Sequence, residues 1–356
     1  MTGRRELITV LLTAILAVAL IATWYFLSSG TPTNSSTTSS VNTTMSGPIP
    51  VGTFLYVWYG NSTSGTNNLG SPGWNSTSCP GGGAVVDLPN LGLYTSDNNV
   101  TFQKQISEMQ SAGIDFAVVS WWGPFSSGEE GSINRATLDF FRFLKNTNST
   151  FQAAIMVDAF PNACGNGPPD IPMSTVEDYV QSTFATPFSR WYFSWEGRPL
   201  LLFFNPLQPS PNSNFTLRTI GNRPNPVNWI FWDAPANFSE GEGGFGVNAT
   251  NDLGNPVISS DGEVTVVPRI DSYYNFHEGY QAGYLRFDSS LHLGLYQYEW
   301  RYVIDHKPEV RLVLIYSFNE YHERSAIEPL ANLGSRPPPN QLLNMTAYYT
   351  ALLERT

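Results

Sequence analysis

From about residue 48 onward the apolar residues of this chain fall into two alternating rhythms. Continuous runs rich in Val, Ile, Leu and Phe occur at 52–58, 114–120, 151–157, 199–204, 227–232, 264–270 and 312–318. Such runs predict strands covered on both faces, as in a parallel sheet. Between them, apolar positions recur at helical spacing. Residues 101–112 place Phe102, Ile106 and Met109 on one face and stop at Gly113, the residue type favoured just past a helix end. Residues 133–144 align Ala136, Phe140 and Phe143 in the same way. Ser174 and Glu177 have the spacing of a capping box ahead of Val176, Tyr179 and Val180. Further helices are predicted over 293–304 and 341–353.

Strand and helix alternating over roughly 300 residues predicts an α/β fold, a single (β/α)8 TIM barrel over 48–356. The seven runs supply seven strands; the eighth is inferred and short. The Gly-, Asn- and Pro-rich tracts 60–98 and 233–262 are predicted to be long βα loops.

The N-terminus has a different pattern. Arg4 and Arg5 precede an uncharged apolar run over 7–27 that closes on Trp24, Tyr25 and Phe26. About 20 apolar residues are needed to cross a bilayer, and aromatic residues favour its interface. The run predicts an N-terminal transmembrane helix, an uncleaved signal anchor with residues 1–6 as a cytoplasmic tail. Cleavage near Ala22 is the alternative. Residues 28–47 are almost entirely Ser, Thr, Asn, Gly and Pro, too polar to offset the entropy of ordering, and predict a disordered stalk. The expected location is the cell membrane, single-pass, with the barrel extracellular.

Charge and composition agree with an exterior protein. The net charge is −11 and lysine occurs only at 104, 145 and 307, which excludes the basic face that nucleic acid requires. N-x-[ST] sequons begin at Asn34, Asn42, Asn61, Asn75, Asn99, Asn148, Asn214, Asn237, Asn248 and Asn344, a density that fits a glycoprotein. The two cysteines, Cys79 and Cys164, fall in loops after strands at one end of the predicted barrel. A disulfide is permitted outside the membrane, and one closing so long a loop contributes on the order of 4 kcal/mol.

Several chemistries find no support. Gly241, Gly243 and Gly246 form a G-x-G-x-x-G, but no helical run follows and a sequon at Asn248 comes next, so the tract is read as a loop. There is no G-x-S-x-G. The histidines, His277, His292, His306 and His322, have no metal-ligand spacing. No metal and no cofactor are expected.

The chemistry concentrates at the end of the last strand run. Asn319, Glu320, His322 and Glu323 occupy five positions directly after the buried run beginning at Leu312. Barrel enzymes present their reactive groups from the C-terminal ends of strands. Two carboxylates this close can be driven to different pKa values, one protonated and one ionised, as glycosidic cleavage requires. The other predicted strands end in aromatic residues: Trp58 and Tyr59, Trp121 and Trp122, Phe160, Trp232, Tyr273 and Tyr274, with Trp74 in the first long loop. Aromatic faces are core by default, but at a barrel mouth they also stack on sugars. Asp158 and Asp271 follow strands at the same end and can accept from sugar hydroxyls. Tyr59, Trp121, Trp122, Asp158, Trp232, Asp271, Tyr273, Asn319 and His322 are therefore the candidate substrate-binding residues.

Three blocks carry a resemblance. They are Phe54-Leu-Tyr-Val-Trp-Tyr-Gly-Asn61, Ala112-Gly-Ile-Asp-Phe-Ala-Val-Val-Ser-Trp-Trp-Gly123, and Ser317-Phe-Asn-Glu-Tyr-His-Glu323 continued by Ile327-Glu-Pro329. In this order they resemble glycoside hydrolase family 99, the endo-α-mannosidases and endo-α-mannanases, whose corresponding segment reads S-F-N-E-W-H-E-G-T-x-I-E-P. The resemblance implies a retaining, endo-acting hydrolase of α-mannosidic linkages that passes through a 1,2-anhydro sugar. By residue, it implies that Glu320 takes the proton of the substrate 2-hydroxyl and that Glu323 serves as acid and then base. Glu328 braces the loop, and the expected partner is an oligosaccharide or polysaccharide. The departures are Tyr321 in place of Trp, Arg324-Ser-Ala326 in place of Gly-Thr-Gln, and Val157-Asp-Ala-Phe160 in place of an I-E-P-Y strand end. They leave open another α-linked glycan, such as an α-glucan cut by two carboxylates directly, or a glycan-binding protein without catalysis.

Overall fold

The computed structural model describes residues 47–60, 74, 87–158, 171–204, 213–220, 229–230, 256, 258–259, 261–268, 292–321, 325–331 and 338–355. The anchor at 7–27, the stalk at 28–47 up to Ser46, Cys79 and Cys164 lie outside these residues. Among those described, no helix is long and apolar enough to cross a membrane.

Gly47–Thr356 forms one compact unit. Its strands are β1 (Val51–Tyr56), β2 (Phe116–Trp121), β3 (Gln152–Val157), β4 (Ser194–Trp195), β5 (Arg198–Phe204), β6 (Thr216–Ile220), β7 (Trp229–Ile230), β8 (Glu263–Val266) and β9 (Leu312–Ile315). The helices are α1 (Asn99–Ser111), α2 (Gly128–Asn146), α3 (Met173–Val180), α4 (His292–Asp305) and α5 (Gln341–Arg355). Each of the seven sequence-predicted runs contains a strand, and the predicted helices all form.

Pairing follows the path β7-β6-β5-β3-β2-β1-β9-β8, with every step parallel; β4 is off the path and pairs antiparallel with β5. The strands at the two ends of the path, β7 and β8, come within 8 Å of each other between Cα atoms. Read from β1, the path is in chain order around a curled sheet, the arrangement of a (β/α)8 barrel. β1, β2 and β9 are buried at every position, as expected for strands with packing on both faces.

The strand of the barrel path that sequence pattern left unassigned is β6, Thr216-Leu-Arg-Thr-Ile220; β4, off the path, was also unassigned. Its central Arg218 is only 2% exposed and donates through Nε to Glu263 Oε1 at 2.6 Å. β7 begins opposite Thr219, so Arg218 meets the first residue of β8 where β7 has not yet started. Glu263 also accepts from Trp195 Nε1 at 3.2 Å and from Ser259 Oγ. Arg218 reaches Glu196 at 3.2 Å, as does Arg311. These two arginines hold Glu196 at φ 53° in the tight Glu196-Gly197 turn between β4 and β5, a conformation that costs a residue with a side chain.

Helix ends are locally encoded. Asn98 caps α1 by accepting from Val100 N at 2.8 Å. At the other end Gly113 takes φ 70°, Gly113 N bonds Gln110 O at 3.0 Å and Ile114 N bonds Met109 O at 3.0 Å. This is the Schellman arrangement, and it delivers the chain into β2. The expected capping box at Ser174 does not form. Pro172 occupies the N-cap of α3, so Ser174 already lies inside the first turn.

Candidate active site

After β9 the chain folds back on itself between Ser317 and Glu328. Ser325 N donates to Glu320 O at 3.0 Å, Ile327 N to Ser317 O at 3.1 Å, and Glu328 N to Phe318 O at 2.8 Å. The Ser317 and Ser325 hydroxyls pair at 2.9 Å, and Glu320 N donates to Ser317 Oγ at 2.8 Å. The Tyr316–Ser317 peptide is cis. These contacts hold Glu320 at the C-terminal end of β9, 3% exposed. His322 and Glu323 lie outside the described residues, as do Trp232, Asp271, Tyr273, Phe160 and Tyr274.

The loop is seated on β1 and the segment that follows it. Phe318 N donates to Phe54 O at 2.8 Å. The Asn319 amide pairs with the Tyr56 backbone, accepting from its N–H at 2.8 Å and donating to its carbonyl at 2.9 Å. Nδ2 of Asn319 also donates to the Tyr94 hydroxyl at 3.1 Å. The Tyr59 hydroxyl donates to Asn319 O at 2.8 Å and accepts from Tyr321 N at 3.0 Å. Tyr59 stacks on Trp74 with ring centroids 4.2 Å apart and meets Tyr94 and Tyr321 edge-on at 5.8 Å. Trp74 Nε1 is bound to Tyr94 O at 2.6 Å.

This geometry corrects three of the sequence assignments. Asn319 and Tyr59 are fully buried, with these atoms bound to the protein, so they support the Glu320 loop instead of lining a cleft. Trp121 is also fully buried, but it faces outward. It stacks with Tyr179 of α3 at 5.7 Å and donates through Nε1 to Asn134 of α2 at 2.9 Å. Strand residues alternate faces, so Ser120 and Trp121 belong to opposite sides of β2.

Trp122 and Asp158 are placed differently. Trp122 packs edge-on against Trp58 at 5.5 Å, and Trp58 lies against Tyr56 at 4.5 Å. Trp122 Nε1 is buried with no hydrogen-bond partner among the described residues. Asp158, half-buried at the end of β3, accepts from Ser120 Oγ at 2.8 Å. β9, β1, β2 and β3 are neighbours in the sheet, so Glu320, Trp58, Trp122 and Asp158 all come from the C-terminal ends of adjacent strands. A carboxylate held from behind beside aromatic faces and a second acid can orient a sugar and move a proton.

Below the loop lies a network that strand-end reasoning did not find. Glu328, 1% exposed, accepts from Gln105 Nε2 at 3.0 Å and from the Tyr94 and Tyr321 hydroxyls at 2.8 Å each. Burial pushes its carboxyl up to about 7 against the downward pull of these donors. Burial likewise raises the hydroxyls of Tyr59, Tyr94 and Tyr321 well above their ordinary range; the charge of Glu320 adds to this at Tyr59, and that of Glu328 at the other two. A signal for the network existed in the sequence: Gln105 sits between Phe102, Ile106 and Met109, on the apolar face of α1. Among the described residues no group of three or more His, Cys, Asp or Glu side chains is placed to hold a metal ion.

No family model and no curated protein matches the sequence. Solved structures do match. The GH99 endo-alpha-mannosidase from Bacteroides thetaiotaomicron aligns with a TM-score of 0.59 at 16% identity, over 86% of this chain and 98% of that one. A structure of it in complex with bis-tris-propane aligns with a TM-score of 0.59 at 16% identity, over 85% and 96%. A glycoside hydrolase-like protein aligns with a TM-score of 0.52 at 14% identity, over 85% and 94%. Together with the sheet order and the strand-end site, these alignments show that the chain has a GH99-like fold.

Proposed function

We propose that this protein is a glycoside hydrolase cutting within α-mannose-containing glycans, with Glu320 and Glu323 as its working carboxylates. The observation that carries the reading is the loop from Ser317 to Glu328. It holds Glu320 at the C-terminal end of β9, next to the aromatic and acidic ends of β1, β2 and β3. The likeness to the GH99 endo-alpha-mannosidase structures supports the substrate class.

In the proposed reaction Glu320 removes the proton of the sugar 2-hydroxyl as O2 attacks C1. The glycosidic bond breaks and Glu323 gives its proton to the departing oxygen. Water then opens the 1,2-anhydro sugar at C1, losing a proton to Glu323, while O2 regains one from Glu320. The product keeps its α configuration, and no enzyme atom becomes bonded to sugar. Trp122 and Asp158 supply a stacking face and a hydroxyl acceptor, with Trp232, Asp271, Tyr273 and His322 completing the binding set.

The same reading places the barrel outside the cell on the anchor at 7–27. The described sequon residues Asn99, Asn148, Asn214 and Asn344 are all exposed, which supports an exterior location. The test of function is the purified protein incubated with a panel of α-mannans and α-glucans, the products sized and their anomers read by NMR. Shortened α-mannans with α-configured new ends are expected. Release from α-glucans alone, or from nothing, overturns the reading.

A further inference from the structure

We infer that Asn148 is an N-glycan acceptor that stays usable after the chain has folded. The inference rests on the exterior location proposed above.

A transferase that builds an N-glycan must grip two groups of a sequon at once. These are the Asn amide nitrogen, which takes the sugar, and the hydroxyl two residues on. The four described sequons all expose the Asn but differ in the hydroxyl. Thr216, after Asn214, is fully buried at the start of β6 and donates to Trp195 O at 2.6 Å. Thr346, after Asn344, is fully buried inside α5, where it pairs with the Tyr296 hydroxyl at 2.8 Å and donates to Leu342 O at 2.9 Å. Thr101, after Asn99, is buried in the first turn of α1. Reaching any of these three hydroxyls means unwinding a helix or peeling off a strand.

Asn148-Ser-Thr150 is different. Asn148 and Thr150 are both exposed, and they lie in the connection between α2 and β3, outside regular structure. Asn148 takes φ 50°, its N–H bonds Lys145 O at 3.1 Å, and Ser149 N bonds Leu144 O at 2.9 Å, which closes α2. That closure accounts for an Asn or a Gly at 148. It asks nothing of position 150, whose hydroxyl among the described residues meets the exposed Gln110 amide at 3.3 Å. Opening the connection breaks those two bonds and the one from Trp191 Nε1 to Ser149 O at 3.1 Å, and no strand or helix is lost. The sequon stands at the N-terminal end of β3, and Asp158 follows the other end. Six residues, a length of about 20 Å, therefore separate a glycan here from the proposed cleft.

In the transfer, Asn148 Nδ2 bonds to C1 of a sugar carried on a lipid pyrophosphate. The bond from C1 to the pyrophosphate oxygen breaks, the lipid pyrophosphate leaves with the electron pair, and the amide gives up one proton to a base of the transferase.

The experiment incubates the folded full chain with a purified oligosaccharyltransferase and a lipid-pyrophosphate-linked oligosaccharide, and reads each sequon by peptide mass spectrometry. Occupancy at Asn148 is expected to exceed that at Asn99, Asn214 and Asn344 by about tenfold or more, because those three open only with their elements. The same chain synthesised in the presence of transferase-bearing membranes meets the enzyme before folding, and there the other three are expected to gain occupancy. Thr150→Ala, at an exposed position, should lose the glycan with no change in melting temperature. An unmodified Asn148 in the folded chain overturns the inference. So does an equal preference for Asn148 before and after folding, or a glycan kept in Thr150→Ala. A folded chain that accepts sugar at Asn148 in the test tube, but is bare there when isolated from its own cells, removes the exterior location while leaving the acceptor.

Discussion

Asn319 and Tyr56, 263 residues apart in sequence, join the last strand end to the first by a reciprocal pair of hydrogen bonds of 2.8 and 2.9 Å. The side-chain amide acts as a piece of backbone, joining the loop after β9 to the last residue of β1. In Asn319→Ala a buried N–H and carbonyl of Tyr56 lose their partners, so urea unfolding is expected to show a loss of about 2–4 kcal/mol. Asn319→Asp keeps the acceptor for the N–H but sets a buried carboxylate against the Tyr56 carbonyl, so it should also be less stable than the wild type, and more so at neutral pH than at acid pH, where the group is protonated.

Arg218 and Glu263 form the buried ion pair that joins β6 to β8. Arg218→Met strands a carboxylate that is fully buried, and chemical denaturation should show a loss of about 3–5 kcal/mol. Adding Glu263→Gln removes the stranded charge, so the double variant is expected to be more stable than Arg218→Met alone. A double variant that is less stable would place the value of Glu263 in its bonds to Trp195 and Ser259 instead.

Much of the barrel was legible because parallel strands under helices leave continuous apolar runs, and each of the seven runs contained a strand. β6 was not legible because its middle residue is an arginine whose partner lies 45 positions away, and no local pattern reveals that pairing. The strand-end site was legible as a list but not as an orientation. One step along β2 separates Ser120, on the Asp158 side, from Trp121, packed under α2 and α3. Tyr59 and Asn319 carried the right residue types for a sugar cleft, but the hydroxyl is bound to loop backbone and the amide to the end of β1, partners that only the fold brings near. The Glu328 network joins helix α1 to the last loop, so beyond the loop-bracing role that the resemblance implies for Glu328, its trace in the sequence was a glutamine on an apolar helix face.

The two adjacent tryptophans of β2 should separate stability from binding. Trp121→Ala removes a ring packed between helices and should cost about 3–5 kcal/mol by denaturant titration. Trp122→Phe keeps a ring and removes an N–H that has no partner among the described residues, so stability should change by less than about 1 kcal/mol. Calorimetric titration with a mannan oligosaccharide should show weaker binding for Trp122→Phe. Equal loss of stability in both variants would return Trp122 to the core.

Glu299 gives the fold a pH dependence of known sign. It is 8% exposed and accepts from Val267 N at 2.6 Å, and burial raises its carboxyl from 4.5 to about 8. Between those values the folded chain holds a proton that the unfolded chain has released. Stability from this group is full below about 4.5 and is lost as pH rises through about 8, on the order of 4 kcal/mol across the interval. Glu328 acts in the same direction up to about 7. Melting temperature should fall from pH 5 to pH 8, and Glu299→Gln should flatten the slope; an unchanged slope would remove Glu299 as its source.

The central claim is that a carboxylate at Glu320 activates the substrate's own 2-hydroxyl. The most direct measurement compares turnover of an α-mannoside with that of its 2-deoxy analogue, by the wild type and by Glu320→Gln and Glu323→Gln. The 2-deoxy compound lacks the internal nucleophile, so no turnover is expected from any of the three. On the mannoside, Glu320→Gln should be slow whatever the leaving group, whereas Glu323→Gln should be partly spared with an activated aryl group that needs little protonation. Efficient turnover of the 2-deoxy analogue by the wild type would contradict the account.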